Sequence, residues 1–233
     1  MTVMEDDFAF PALLGLVGEP ARAQMLWQLL DGRALTATEL AYHAGVSPQS
    51  ASAHLGKLVA ADLVAVERQG RHRYYCFARP EVAYALEALA NLLPPAQTRR
   101  AAEGPPTGLR YVRTCYDHLA GRVAVNICQA LVQRDYLREE GPEFILTSSG
   151  RAWFAAAGLA AADLTDTARR PLARPCLDWS ERKRHLAGTL GAALLRQFLA
   201  LGWMRNTAHA RAIVITPAGQ AALYERLGLR IFL

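Results

Sequence analysis

The chain has 233 residues, 52% hydrophobic and 20% charged, with a formal net charge of +5 at pH 7. This is a globular composition: it is too apolar for an intrinsically disordered chain, and no apolar run reaches the roughly 20 residues that span a bilayer. The basic excess is uneven, with seven Lys or Arg against ten Asp or Glu in residues 1–98 and nineteen against eleven in residues 99–233, so nucleic-acid binding by the first half must rest on local placement.

The chain opens with acids at Glu5, Asp6 and Asp7, the opposite of a basic signal-peptide start, and a cytoplasmic protein with no membrane partner is expected. Cys76, Cys115, Cys128 and Cys176 are then expected as reduced thiols. Pro20 suits the first turn of a helix that carries Met25, Leu26, Leu29 and Leu30 on one face and closes at Gly32. Thr36 and Glu39 form a capping box for a short helix, TATELAYHA, that stops at Gly45. Ser47 caps a third helix with Pro48 at its first position and Ala51, Leu55, Leu58 and Val59 facing inward. Two helices joined across Gly45 make a helix-turn-helix. LVAVERQG and RHRYYCFA follow as two β-rich runs turning around Gln69 and Gly70, a hairpin wing.

A helix of this kind in a major groove presents its outward side chains to base edges and phosphates. Gln49, Ser50, Ser52, His54 and Lys57 lie on that side, Ser47 and the helix N-terminus offer phosphate donors, and Arg68, Arg71, His72 and Arg73 add a cationic cluster on the wing. The plainer alternative is a small α+β domain with a solvated hairpin tip and His54 packed under a neighbour.

The run ELAYHAGVSPQSASAHLGKLVAADLVAVERQGRHRYYCFA resembles the ArsR-type winged-helix transcription regulators. It shares with them the order ELA, a glycine turn, S-x-x-x-S-x-H-L, L-x-x-x-x-L-V and R-x-G-R-x-x-x-Y. The resemblance covers roughly residues 10–95. It implies a homodimer on double-stranded DNA, with an N-terminal helix around Phe8–Val17 and a helix over Pro80–Leu93 pairing between subunits. It also implies repression relieved by an effector. The family's thiolate pair on the first helix of the motif falls here on Ala41 and His43. The Asp and His of its last helix have no full counterpart in EVAYALEALANLL, so neither metal site of the family carries over.

LPPAQTRRAAEGPPTG, Leu93 to Gly108, breaks helical periodicity with two proline pairs and marks a linker over 96–108. Residues 109–233 carry a weak duplication. CYDHLAG at Cys115–Gly121 and FILTSSG at Phe144–Gly150 are echoed by CLDWSERKRHLAG at Cys176–Gly188 and IVITPAG at Ile213–Gly219, with six extra residues between Cys and His in the second copy. The expected architecture is therefore α+β, mostly α with small β wings. A winged helix-turn-helix for DNA binding and dimerisation over 1–95 precedes two wing-like repeats, an effector or regulatory domain, over 109–233.

Cys115, His118, Cys176 and His185 are candidate ligands for Zn²⁺ or another thiophilic ion, with Cys115 and His118 able to share a helical face at i, i+3 and carboxylates supporting the histidines. Tyr116, Asp117, Asp178 and Trp179 are candidate lining for a small-molecule effector pocket. The alternatives for these residues are buried thiols and local caps, or a thiol-oxidation site. Cys76 and Cys128 have apolar neighbours and read as structural. The expected function is a dimeric DNA-binding transcription regulator, a repressor released by a metal, a small molecule or an oxidant. An architectural or protein-interaction DNA-binding role without effector is the alternative. An enzyme with Cys115 as nucleophile, His118 or His185 as base and Asp117 as orienter is a remote one, since no oxyanion loop, phosphate cradle or HExxH accompanies it.

Overall fold

The computed structural model describes residues 9–30, 32–93, 108–141, 143–165, 170–207 and 211–231. The chain divides into two units, residues 1–87 and 88–233. Apart from Gly108, which begins a 3-10 turn, the expected linker lies outside the described residues.

In the first unit α1 (Ala9–Gly18) leads into α2 (Pro20–Leu29), whose first turn is capped by the Glu19 carboxylate accepting from the Ala21 and Arg22 amides. Strand β1 (Leu35–Thr36) precedes α3 (Ala37–Ala44), where the expected capping box between Thr36 and Glu39 is formed and Gly45 ends the helix at φ 66°. The positive φ there needs no side chain and lets the chain turn at once. Ser47 then caps α4 (Pro48–Ala60) by accepting from the Ser50 amide. Met25, Leu26, Leu40, Leu55, Leu58 and Val64 are almost fully buried in one core, and each contributes roughly 1.5–3 kcal/mol through its lost apolar surface.

The wing is β2 (Val64–Gln69) against β3 (His72–Phe77), and α5 (Pro80–Ala90) follows. Three details differ from expectation. Val59 is 38% exposed, one position off the inward row of α4. The turn is Gly70–Arg71, since Gln69 and His72 are still paired. The sheet is three-stranded in the order β1-β3-β2, Leu35 and Thr36 being too short a run to signal a strand. Phe8, expected at the start of the first helix, lies outside the described residues, and α5 ends at Ala90 rather than Leu93.

The second unit is built twice from hairpin, helix, hairpin, helix. The first copy is β4 (Arg113–Cys115), β5 (His118–Ala120), α6 (Arg122–Gln133), β6 (Leu137–Glu140), β7 (Glu143–Leu146) and α7 (Ser148–Ala156). The second is β8 (Arg174–Leu177), β9 (Arg184–Ala187), α8 (Gly188–Ala200), β10 (Met204–Asn206), β11 (Ile213–Ile215) and α9 (Pro217–Leu227). The copies pack reciprocally, α6 against β9 and α8 against β5, around one core that includes Leu131, Phe154, Leu190 and Phe198.

The repeated His-Leu-Ala-Gly ends in a glycine for a steric reason. Gly121 and Gly188 have φ of 87° and 83°, and a Cβ would meet the Tyr111 carbonyl oxygen at 2.8 Å and that of Leu172 at 2.7 Å. The repeated Thr-x-x-Gly is equally structural. Thr147 and Thr216 cap α7 and α9, and Cβ atoms on Gly150 and Gly219 would overlap the carbonyls of Tyr136 and Trp203.

Candidate nucleic-acid interface and Cys-His cluster

The outer face of α4 carries Gln49 and Lys57 in solvent, with Ser47 and Ser52 exposed and Ser50 half-buried. Ser52 donates to the Pro48 carbonyl at 3.0 Å, and Ser47 Oγ accepts from the Ser50 amide at 3.2 Å, which leaves the Ser47 hydroxyl proton free for a phosphate. On the wing Arg68, Arg71, His72 and Arg73 are all exposed. Arg68 sits directly opposite Arg73 across the hairpin. Like charges at facing positions destabilise a sheet. Neither arginine, nor Arg71 at the tip, nor Lys57, has an ion pair among the described residues.

His54 is a correction to the expected groove-facing set. Its Nδ1 lies 3.3 Å from the Glu19 carboxylate and 3.4 Å from Arg22 Nη1, and its side chain is only 20% exposed. Arg22 is itself buried and donates to the Leu16 and Gly15 carbonyls at the end of α1. The amides of Arg22 and Ala21 hold the Glu19 carboxyl below the usual range, with His54 and Arg22 helping. His54 therefore fixes α4 to the α1–α2 junction instead of presenting a ring to DNA. Sequence reading missed Glu19 and Arg22; an acid just before a first-turn proline and a lone arginine on an apolar helix were the available signals.

In the second unit Cys115 and His118 are not on a helical face. They are cross-strand partners on β4 and β5, and Cys176 and His185 are cross-strand partners on β8 and β9. Two residues separate the first pair and eight the second, so the six extra residues are absorbed in the turn and the register at Cys and His is the same. The two Sγ atoms and one ring nitrogen from each histidine lie within 4.8 Å of one another. His118 Nε2 and His185 Nε2 are 3.2 Å apart, with the rings 5% and 1% exposed as residues. Asp117 Oδ1 lies 3.4 Å from His118 Nδ1, and Arg170 holds the Asp117 carboxylate through both oxygens, depressing its pKa. The neighbouring Cys176 thiol and burial push Cys115 up to about 11, against hydrogen bonds to the two histidines. A thiol held neutral in this way is a poor nucleophile. Burial pushes Cys128 up to about 12, as befits a core thiol.

The expected pocket of Tyr116, Asp117, Asp178 and Trp179 does not form. Tyr116 is 67% exposed at the hairpin turn, whereas Trp179 is 3% exposed beneath the guanidinium groups of Arg110 and Arg113. Asp178 is buried against Arg113 at 2.9 Å and accepts from the amides of Gly121, Ser180 and Glu181 and from the Ser180 hydroxyl. Burial raises this carboxyl, but Arg113, His185 and these donors outweigh it and bring it down to about 2. An anion fully committed to a guanidinium and a helix start has no capacity left for a ligand. A cleft of about 500 Å³ in the same unit is lined instead by Phe144, Leu146, Arg151, Leu172 and Arg174.

The comparisons with known proteins fall on both units. A helix-turn-helix domain family matches residues 17–67. The uncharacterized HTH-type transcriptional regulator YdfF of Bacillus subtilis (strain 168) is 42% identical over 217 residues, 93% of this chain and 96% of YdfF. Among solved structures, HlyU from Vibrio cholerae N16961 is 27% identical, covering 39% of this chain and 97% of its own, with a TM-score of 0.35. The cadmium metal-sensor CMTR from Mycobacterium tuberculosis is 31% identical, covering 34% of this chain and 82% of its own, with a TM-score of 0.31.

Proposed function

From the premise that this chain belongs to the helix-turn-helix transcriptional regulators of the ArsR type, we propose that its first unit binds double-stranded DNA with α4 in the major groove and the wing on the flanking phosphates. The observation that carries this reading is the Arg68–Arg73 pair. Two facing guanidiniums beside Arg71 cost stability in the free protein, and a phosphate backbone supplies the missing counter-charge. Gln49 is the side chain suited to a base edge, and Ser47, Ser50, Ser52 and Lys57 to phosphates and sugar.

The working unit in this reading is a homodimer. Helix α1, AFPALLGLVG, has no buried residue and leaves Phe10, Leu13 and Leu14 at 64%, 41% and 48% exposure. An apolar helix left this bare is a surface for a second copy, and twofold symmetry matches a palindromic site. Repression is released when an effector favours a dimer arrangement whose recognition helices no longer fit the half-site spacing. Among the described residues no helix is long and apolar enough to cross a membrane.

Fluorescence anisotropy on the DNA upstream of the protein's own coding sequence, against random competitor across a salt series, tests the reading. Specific binding that weakens steeply with salt supports it; equal affinity for upstream and random DNA counts against it.

A further inference from the structure

We propose that Cys115, His118, Cys176 and His185 form a closed four-ligand site for a thiophilic divalent cation of the Zn²⁺ class, which clasps the two repeats of the second unit together.

The duplication preserves residues of two kinds. Gly121 and Gly188 are required by positive φ and by the carbonyls against them. Leu119, Leu186, Ala120 and Ala187 are buried in the unit. Thr147 and Thr216 cap helices. The Cys and His of each copy instead bring their donor atoms onto one another. Cys115 and Cys176 are half-buried, and the buried Nδ1 of His185 has no hydrogen-bond partner among the described residues. Yet both pairs keep the same cross-strand register although their turns differ by six residues. Register held across unequal turns points to what the side chains do together.

The geometry fits a tetrahedron. Metal–nitrogen and metal–sulfur bonds of about 2.0–2.1 Å and 2.3 Å give tetrahedral edges of roughly 3.3–3.8 Å. The two Nε2 atoms are 3.2 Å apart, and all four donors lie within 4.8 Å of one another, so small side-chain shifts close the set around an ion. Asp117 beside His118 Nδ1 keeps the proton on that nitrogen and leaves the Nε2 lone pair for the metal. Two thiols lose their protons to solvent on loading, and two thiolates neutralise the dication, so the filled site carries no net charge into its buried surroundings. Four protein ligands leave no open position, which makes this a site for holding or sensing an ion and not for catalysis. These donors come from β4, β5, β8 and β9, whereas Ala41 and His43 belong to the first unit. The site stands on the second unit alone, so its test is independent of DNA binding.

The test uses the full-length chain, reduced, stripped with a chelator and titrated with Co²⁺. One equivalent per chain is expected, with the visible bands of four-coordinate cobalt and a thiolate-to-cobalt charge-transfer band in the near ultraviolet. Zn²⁺ displaces it. Cys115→Ser and His185→Gln abolish the stoichiometric signal, whereas Cys76→Ser leaves it intact. Asp117→Asn weakens binding by about 10- to 100-fold while keeping the spectrum. Circular dichroism and melting of each stripped variant beside the stripped parent separate lost ligation from lost fold. No stoichiometric uptake by the reduced parent, a spectrum without the thiolate band, or binding that survives Cys115→Ser in a folded variant overturns the site, and leaves the pair of thiols for a disulfide.

Discussion

The wing β2–β3 ends in solvent, where Arg68 faces Arg73 and neither has an ion pair among the described residues. Hairpins β4–β5 and β8–β9 pack against each other through β5 and β9, where Cys115 faces His118, Cys176 faces His185 and the histidines are buried. One local structure, a short antiparallel pair, thus serves opposite purposes according to what packs against it. An exposed hairpin tip keeps its polar groups uncommitted and available to a large external partner. A pair of hairpins packed on one another makes a small enclosed space, and only residues whose donors fit that space can remain there.

The sharpest way to break the contrast is to disturb the enclosed side. Asp178→Ala leaves Arg113 buried without its carboxylate and Gly121 without an acceptor, and should cost the second unit about 3–5 kcal/mol in chemical denaturation. Asp178→Ala combined with Arg113→Met should recover part of that loss. Next comes a pair of glycines. Gly188→Ala places a Cβ against the Leu172 and Pro171 carbonyls at φ 83°, while Gly70→Ala at φ 60° on the wing meets nothing within 4 Å. The first should lower stability by more than about 1–3 kcal/mol, the second by about 1 kcal/mol. A melting experiment that ranks them the other way removes the distinction between the enclosed hairpins and the open wing. On the open side, Leu13→Glu with Leu14→Glu should convert the proposed dimer to monomer in light scattering at micromolar protein. Smallest in stability but most specific in DNA binding, Arg71→Ala should weaken all sequences alike and reduce the salt slope by about 1, whereas Gln49→Ala should relax preference at one base position. Equal losses on every sequence from both changes would remove Gln49 from base recognition.

Much of the first unit was legible because its signals are local. Thr36 with Glu39, Gly45, and Ser47 with Pro48 each set a helix boundary within a few residues, and all three formed as expected. His54 was misplaced because its partners, Glu19 at the cap of α2 and Arg22 within it, are outside α4, and helix periodicity does not resolve a side chain at the edge of the buried face. In the second unit the duplication identified the four converging residues, but not how they converge. Cys115 and His118 three apart fit a helix as well as a two-residue turn. The partner of Asp178 lies 65 residues away at Arg113, so no local pattern distinguished an internal anchor from a pocket wall. Trp179 followed the same error.

The longer turn of the second repeat also bears on how such a unit can be assembled. Two copies of the first repeat alone could supply two Cys and two His, but each would carry Asp117 in a two-residue turn and Arg113 with no Asp178 to meet it. The tandem is therefore not interchangeable with a symmetric pair of half-chains. Separated into fragments, the second half should recognise the first in preference to itself, because the guanidinium and its carboxylate are now divided between them.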